Sequence, residues 1–239
     1  MTKMYGHPDS DVLVMARLAR HRGRVSDFAA WHLDQLAWEC SATRLCEVAV
    51  THIPELLHTS DYARAVYTSH SQTAFASQIR CTWASELTEH LIQTGLAALA
   101  LRQGRLAGPP WMPMHLVVTE SALRAPLVSP HVMAQQWAHL MAVIEQQAVT
   151  VRILPKTRSG LVGAQHGWRL LEFSNGLDPR WLFRRYGGVN APTDGQEDVA
   201  TAYRKYLRLR AASLSADDSQ DFIQQLIIGA SRRKRQHGP

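Results

Sequence analysis

Apolar residues in the first half of the chain recur at helical spacing, and those in the second half switch between helical spacing and short β-branched runs. Residues 12–22 form a short basic segment that Gly23 interrupts, and Ser26 with Asp27 supply caps for a longer helix predicted over 28–49. Along it Trp31, Leu36, Trp38, Ala42 and Leu45 make an apolar surface. Pro54 suits the first turn of the next element, where its missing N–H costs no hydrogen bond. Ser60 and Asp61 then cap a helix carrying Tyr62, Ala65 and Val66, and a long helix is predicted over 84–106, broken or kinked near Gly95.

Gly108-Pro109-Pro110 marks a change of regime. Residues 115–119 (HLVVT) read as a strand, and Ser129-Pro130 cap a helix whose Met133, Trp137, Leu140, Met141 and Ile144 share one face. A second strand spans 149–154 and stops at Pro155. Residues 168–173 and 180–184 flank Asn175-Gly176 as an antiparallel hairpin with a longer loop. Helices over 196–212 and 216–228 finish the fold, the second opened by a capping box of Ser215 with Asp218. The expected class is α+β, mainly helical with a small antiparallel sheet. Three parts are expected: an N-terminal helical extension at 1–37, a domain at 38–229, and a basic, frayed tail at 230–239.

Composition narrows the class without naming a chemistry. The 239 residues, 46% hydrophobic and 19% charged, suffice for one large soluble domain. No apolar run approaches the roughly 18 residues that span a bilayer, so no membrane partner is expected. The opening MTKMYGHPDSD lacks the apolar core of a secretory signal, which makes the cytoplasm the expected location. Cys40, Cys46 and Cys81 form no CxxC pair and imply neither a disulfide framework nor a zinc site. Of the net charge of +6, Arg232, Arg233, Lys234 and Arg235 supply four, and the remaining +2 implies no polyanion partner. Arg17, Arg20, Arg22 and Arg24 read as a solvent-facing stripe.

Residues 53–65, IPELLHTSDYARA, resemble the IPGLLQTxxYARA signature of a large family of actinobacterial helix-turn-helix regulators of the XRE type. Seven further segments fall in the family's order. Glu39, Ala42 and Leu45 match its LExEAxxI, and Arg102-Gln103 with Leu106 its RQxxL. VVTESALR at 117–124 and QWAHL at 136–140 resemble VLDEAxLR and QLxxL. VTVRILP at 149–155 and LLEF at 170–173 resemble VxVQVLP and FxLLEF, and LRAASLSADDS at 209–219 resembles LRAAALSPEES. In that family the signature opens a C-terminal domain of unassigned chemistry behind a DNA-binding domain. The residues ahead of Trp38 are too few for such a DNA-binding domain and lack a recognition-helix pattern, so specific DNA binding is not expected. The signature's Gly and Gln are Glu55 and His58 here, and the family's usual acidic residue after its VVYVE-like strand is not evident in the WLFRR at 181–185.

Glu55 and His58 are the leading candidate catalytic pair. At i and i+3 on a helical turn they share a face, and a carboxylate beside an imidazole can move protons. The plainer alternative makes both of them surface substitutions. Glu39 and Glu120 join them as acidic candidates, although each matches a family position, like Glu172, and pairing with Arg44, Arg102 or Arg124 would explain them structurally. His52, Trp38, Trp83, Trp111, Trp137 and Arg102 are candidates to line an apolar ligand pocket; core packing is the competing role for each Trp. No GxSxG, HExxH, P-loop or GxGxxG motif is present, and His52 and His58 lack a helical metal spacing, so no cofactor or metal is expected.

Two main functional readings follow. In one, a regulator-derived module binds an apolar small-molecule effector or a small protein partner, as the family's companion role in antitoxin-like systems implies, with a homodimer as one option. In the other, the domain is a cofactor-independent enzyme, a cyclase, dehydratase or isomerase, acting on an apolar small molecule in a biosynthetic pathway. An ordinary DNA-binding regulator is the weakest reading.

Overall fold

A computed structural model describes residues 38–75, 84–106, 112–146, 149–162, 167–174, 180–186 and 189–236. The segment predicted as helix over 28–49 divides. Residues 38–41 are helical, and Arg44–Ala49 form strand β1. RLCEVA fits both periods, because Leu45 and Ala49 are four apart while Cys46 and Val48 alternate with them. What decides is pairing on both sides: β1 runs parallel to β2 (Met114–Thr119) and antiparallel to β4 (Trp168–Glu172). A strand buried on both faces loses the polar alternation that marks a half-exposed one.

A 3-10 turn at Glu55–Leu57 precedes α1 (Ser60–Phe75) and α2 (Ala84–Leu106). The cap of α1 is Thr59 rather than Ser60: its carbonyl accepts from Ala63 N at 2.9 Å and its hydroxyl from Tyr62 N at 3.3 Å. After β2 come the short α3 (Glu120–Leu123), α4 (Pro130–Glu145) and β3 (Val149–Leu154). Thr119 and Ser129 cap α3 and α4, accepting from Ala122 N and Val132 N. A second 3-10 turn at Lys156–Leu161 leads toward β4, which continues through β5 (Arg180–Tyr186) and β6 (Val189–Thr193). Helices α5 (Gln196–Ala212) and α6 (Ala216–Gln236) follow. The last helix, expected to stop near residue 228, continues to Gln236 and takes Arg232 through Arg235 with it.

The six strands lie in the order β3-β2-β1-β4-β5-β6. The sheet is therefore mixed, not the antiparallel sheet expected: β3, β2 and β1 are mutually parallel, and β4 to β6 continue antiparallel. The cause is connectivity. β1 reaches β2 through α1 and α2, and β2 reaches β3 through α3 and α4, and helical crossovers return the chain in the same direction. The expected hairpin is β4–β5, and β6 extends it. The α+β class stands, with helices on both faces of the sheet.

Two apolar cores result. One face of the sheet presents Leu45, Leu116, Val118, Val151, Ile153 and Leu171 to the helical side that includes Tyr62, Trp137 and Leu140. The opposite face packs Cys46, Val48, Val117, Trp168, Leu170 and Leu182 against Val199, Ala202, Tyr206 and Leu209 of α5. Each fully buried Leu or Ile here is worth about 1.5–3 kcal/mol over leaving it in water. The edge strand β3 is tied to the segment that opens α6. Ile153 of β3 donates to Ser219 Oγ and accepts from Leu214 N, each at 2.9 Å. Gly167 meets the sheet where only hydrogen fits, since a Cβ there would stand 2.5 Å from the Val48 carbonyl oxygen. Among the described residues no helix is long and apolar enough to cross a membrane.

Candidate functional site

Residues 50–59 leave the carboxyl end of β1 and turn toward the helices that lead to β2, away from β4 on the other side. In open parallel sheets, ligands gather outside the carboxyl ends of the strands, and β1 to β3 form the parallel part of this sheet. Thr119 at the end of β2 holds this segment by donating to Val50 O at 2.7 Å.

Polar side chains from three helices fix the stretch from Ile53 to Thr59. Gln136 of α4, fully buried, donates to Leu57 O at 2.6 Å and accepts from Thr59 N at 2.8 Å. Gln103 of α2 donates to Leu56 O at 3.1 Å and His58 O at 2.8 Å. Tyr62 of α1 accepts from Ile53 N at 3.4 Å, and its burial pushes its phenol pKa above the ordinary value. His58 is itself buried, its Nε2 2.7 Å from Ile53 O. A carbonyl only accepts, so that nitrogen carries the proton. The ring stands edge-on to Tyr62 with centroids 4.7 Å apart, and 6.2 Å from the ring of His52. His52, half-buried, has Nδ1 2.7 Å from the hydroxyl of exposed Thr51.

Beside this loop lies a buried ion cluster. Arg102 of α2 donates through Nε and Nη2 to both oxygens of Glu39, at 2.8 and 2.7 Å, and through Nη1 to Glu55 Oε2 at 2.9 Å. The other Glu55 oxygen accepts from Tyr67 OH at 2.7 Å. Glu39 Oε1 also accepts from Arg169 Nη1 at 2.7 Å, and Arg169 Nε donates to Glu47 Oε2 at 3.0 Å. Glu47 and Arg169 face each other in register on β1 and β4. Burial works against the charge on Arg102, but Glu39 and Glu55 outweigh it and hold the guanidinium above its ordinary pKa. For Arg169 burial is likewise overcome, by Glu47 and Glu39.

The structure thus gathers Glu39, Glu55, His58, His52 and Arg102 in one region. Trp38 lies next to Glu39 in sequence, but its ring packs edge-on against Phe173, Trp181 and Phe183, with centroids 6.0, 4.2 and 5.3 Å away. Trp137 sits in the core and donates to Leu123 O at 3.0 Å. Glu120 is elsewhere, paired with Arg124 at 2.9 Å and accepting from Lys156 N. Glu172 pairs with Arg44 and Arg180 at the far end of β4. Trp83 and Trp111 lie outside the described residues. Residue patterns alone missed Glu47, Arg169, Tyr67, Gln103 and Gln136. The available signal was a charged residue inside each of two apolar strands, RLCEVA and WRLLE.

Residues 33–225 match a family described as a domain of unknown function, DUF5753. The chain belongs to the DUF5753 family. No curated protein and no solved structure matches it. The matched residues span the whole sheet and the residues of the ion cluster. An open groove of about 670 Å³ lies on the α5 side, lined by Leu161, Thr201, Arg204, Lys205, Arg208 and Leu209 among others. Among the described residues its lining includes no Trp. Among the described residues of this DUF5753 domain, no group of three or more His, Cys, Asp and Glu side chains is placed to hold a metal ion.

Proposed function

We propose that this chain is an effector-binding module related to the XRE-type regulators, with an apolar small molecule seated at the carboxyl end of β1 against Thr51 and His52. The observation that carries the reading is the use made of Glu55 and His58. Both oxygens of Glu55 take donors, from Arg102 and Tyr67, and the His58 Nε2 proton points at the Ile53 carbonyl. Groups held in this way serve to pre-organise a loop, and a pre-organised loop lowers the ordering cost of binding. Proton transfer through Glu55 or through His58 Nε2 would have to compete with those bonds, which favours binding over the cyclase, dehydratase or isomerase reading. No DNA contact belongs to the proposal.

The test is a ligand screen by intrinsic Trp fluorescence and thermal shift, followed by His52→Ala and Thr51→Val. Both substitutions should weaken a hit at least about fivefold, since each removes a hydrogen-bonding group worth roughly 1 kcal/mol, while the melting temperature holds. A hit that binds both variants with unchanged affinity refutes the assignment of the site, and product formation from any hit refutes the binding-only reading.

A further inference from the structure

We infer that the outer face of α5 is the contact between two copies of this chain, packed antiparallel about a two-fold axis. Four features of the described residues carry this. The first is exposed apolar surface. Leu161 and Leu207 are the large hydrophobic side chains left exposed, at 47% and 40%, and both lie on this side of the sheet.

The second is layering. Among the described residues the opposite face of the sheet lies under α1, α4 and α6, whereas this face is covered by α5 with the short turn at Lys156–Leu161. A single helix about 10–12 Å across leaves its outward side unpartnered.

The third is the order of charge along the helix. Its first turn is acidic, with Glu197 and Asp198, and its later turns carry Arg204, Lys205, Arg208 and Arg210. Val199, Ala202, Tyr206 and Leu209 point inward. Glu197, Thr201, Arg204, Leu207, Arg208 and Ala211 are exposed and, at three- and four-residue spacing, form one outward stripe.

The fourth is self-complementarity. A two-fold interface must match its own surface, so that residue i meets j and j meets i. An antiparallel pairing that sets Glu197 against the partner's Arg208 also sets Thr201 against the partner's Arg204, and repeats both contacts by symmetry. It lays Leu207 over the partner's acidic first turn and covers part of the groove beside Leu161. The lining of that groove includes Arg204, Lys205 and Arg208 and no acidic residue, so the facing acidic turn supplies its opposite charge. The helix dipoles oppose each other in the same arrangement, which is favourable.

The experiment is sedimentation velocity on the full chain, from about 1 to 100 µM, at 0.15 M and 0.5 M salt, with charge-reversed variants. The wild type should sediment as a dimer in the upper part of that range and dissociate more readily at the higher salt. Glu197→Arg and Arg208→Glu should each raise the dissociation constant on the order of tenfold or more, because each turns two attractive pairs into two repulsive ones. The double variant E197R/R208E should regain the wild-type constant to within about threefold, since it restores both pairs. Circular dichroism melts establish that the variants are folded, and Glu197→Gln with Arg208→Gln stand in if a reversal does not fold. A wild type that stays monomeric throughout overturns the inference. So does a dimer indifferent to both single changes, or one that the double variant fails to restore.

Discussion

Arg102 grips Glu39 through two parallel hydrogen bonds, at 2.8 and 2.7 Å, across 63 positions of sequence. The side chains are 1% and 2% exposed, so water contributes little to either charge. A fork-to-carboxylate contact of this kind fixes orientation as well as distance. It locks the end of α2 to the helical residues that lead into β1, and the third guanidinium nitrogen extends the lock to Glu55.

Removing the cation should therefore cost much more than removing a surface charge. Arg102→Leu leaves Glu39 and Glu55 buried without their shared partner, and should destabilise the fold by about 3–5 kcal/mol. Arg102→Lys should recover only part of that, because an ammonium cannot pair with one carboxylate in a fork and reach a second. Urea denaturation measures both. A loss below about 1 kcal/mol for Arg102→Leu would show that the cluster does not stabilise the fold.

Gln136 should matter for the loop out of proportion to its size. Its amide serves Leu57 O and Thr59 N together, from a position without solvent contact. Gln136→Ala should cost about 1–3 kcal/mol, the penalty of leaving buried backbone groups unmet. Hydrogen exchange should speed up at Thr59 ahead of the amides of β2 and β3. Uniform acceleration across the domain would place the effect in the core instead.

Glu55→Gln separates a positioning role from a chemical one. The amide can still accept one bond but presents NH₂ where the carboxylate offered a second oxygen, to Tyr67 or to Arg102. Stability should fall by roughly 1–3 kcal/mol, as for other buried hydrogen bonds to charge. His58→Phe should likewise lower stability by losing the bond to Ile53 O. An unchanged melting temperature together with loss of some measurable turnover of roughly 10²-fold would assign the pair to acid-base catalysis after all.

Acid should weaken the fold through two partly buried histidines. Burial lowers the pKa of His115, with Arg44 and Arg210 adding to the effect, and burial alone lowers that of His139. A folded state that resists protonation binds fewer protons than the unfolded chain, so stability rises with pH across that interval. The contribution is full above the unfolded value of about 6.5 and declines as pH falls toward the folded values. Urea midpoints should drop between pH 7 and 5.5, and the double variant H115Q/H139Q should lose less over the same step. Equal slopes in the two proteins would assign the acid sensitivity to other groups.

Where local signals agreed with the fold, the sequence was enough. The helix opened by Ser129-Pro130 and the strand at Val149–Leu154 stand where the pattern put them. So does the Ser215–Asp218 capping box, with Asp218 N donating to Ser215 Oγ at 3.0 Å. These depend on neighbours within a few residues, and a cap or a periodic face is the same physical object in the chain and in the protein. The resemblance to a family was equally local in origin, and the match over 33–225 bears out the domain of unassigned function in it.

Only the tertiary structure decided the rest. Arg44–Ala49 is a strand because β2 and β4 satisfy its backbone on both sides, a fact no window of sequence contains. The sheet is partly parallel because two helical crossovers return the chain in one direction. Glu55 and His58 looked like a pair at i and i+3, but the turn there is 3-10 and His58 is extended, so their partners come from elsewhere. Glu55 is bound by Arg102, 47 positions away, and Glu39 by Arg169, 130 positions away. Charge becomes strong only where water is excluded, and which charges share a dry volume is a property of the folded chain, settled by contacts between distant segments.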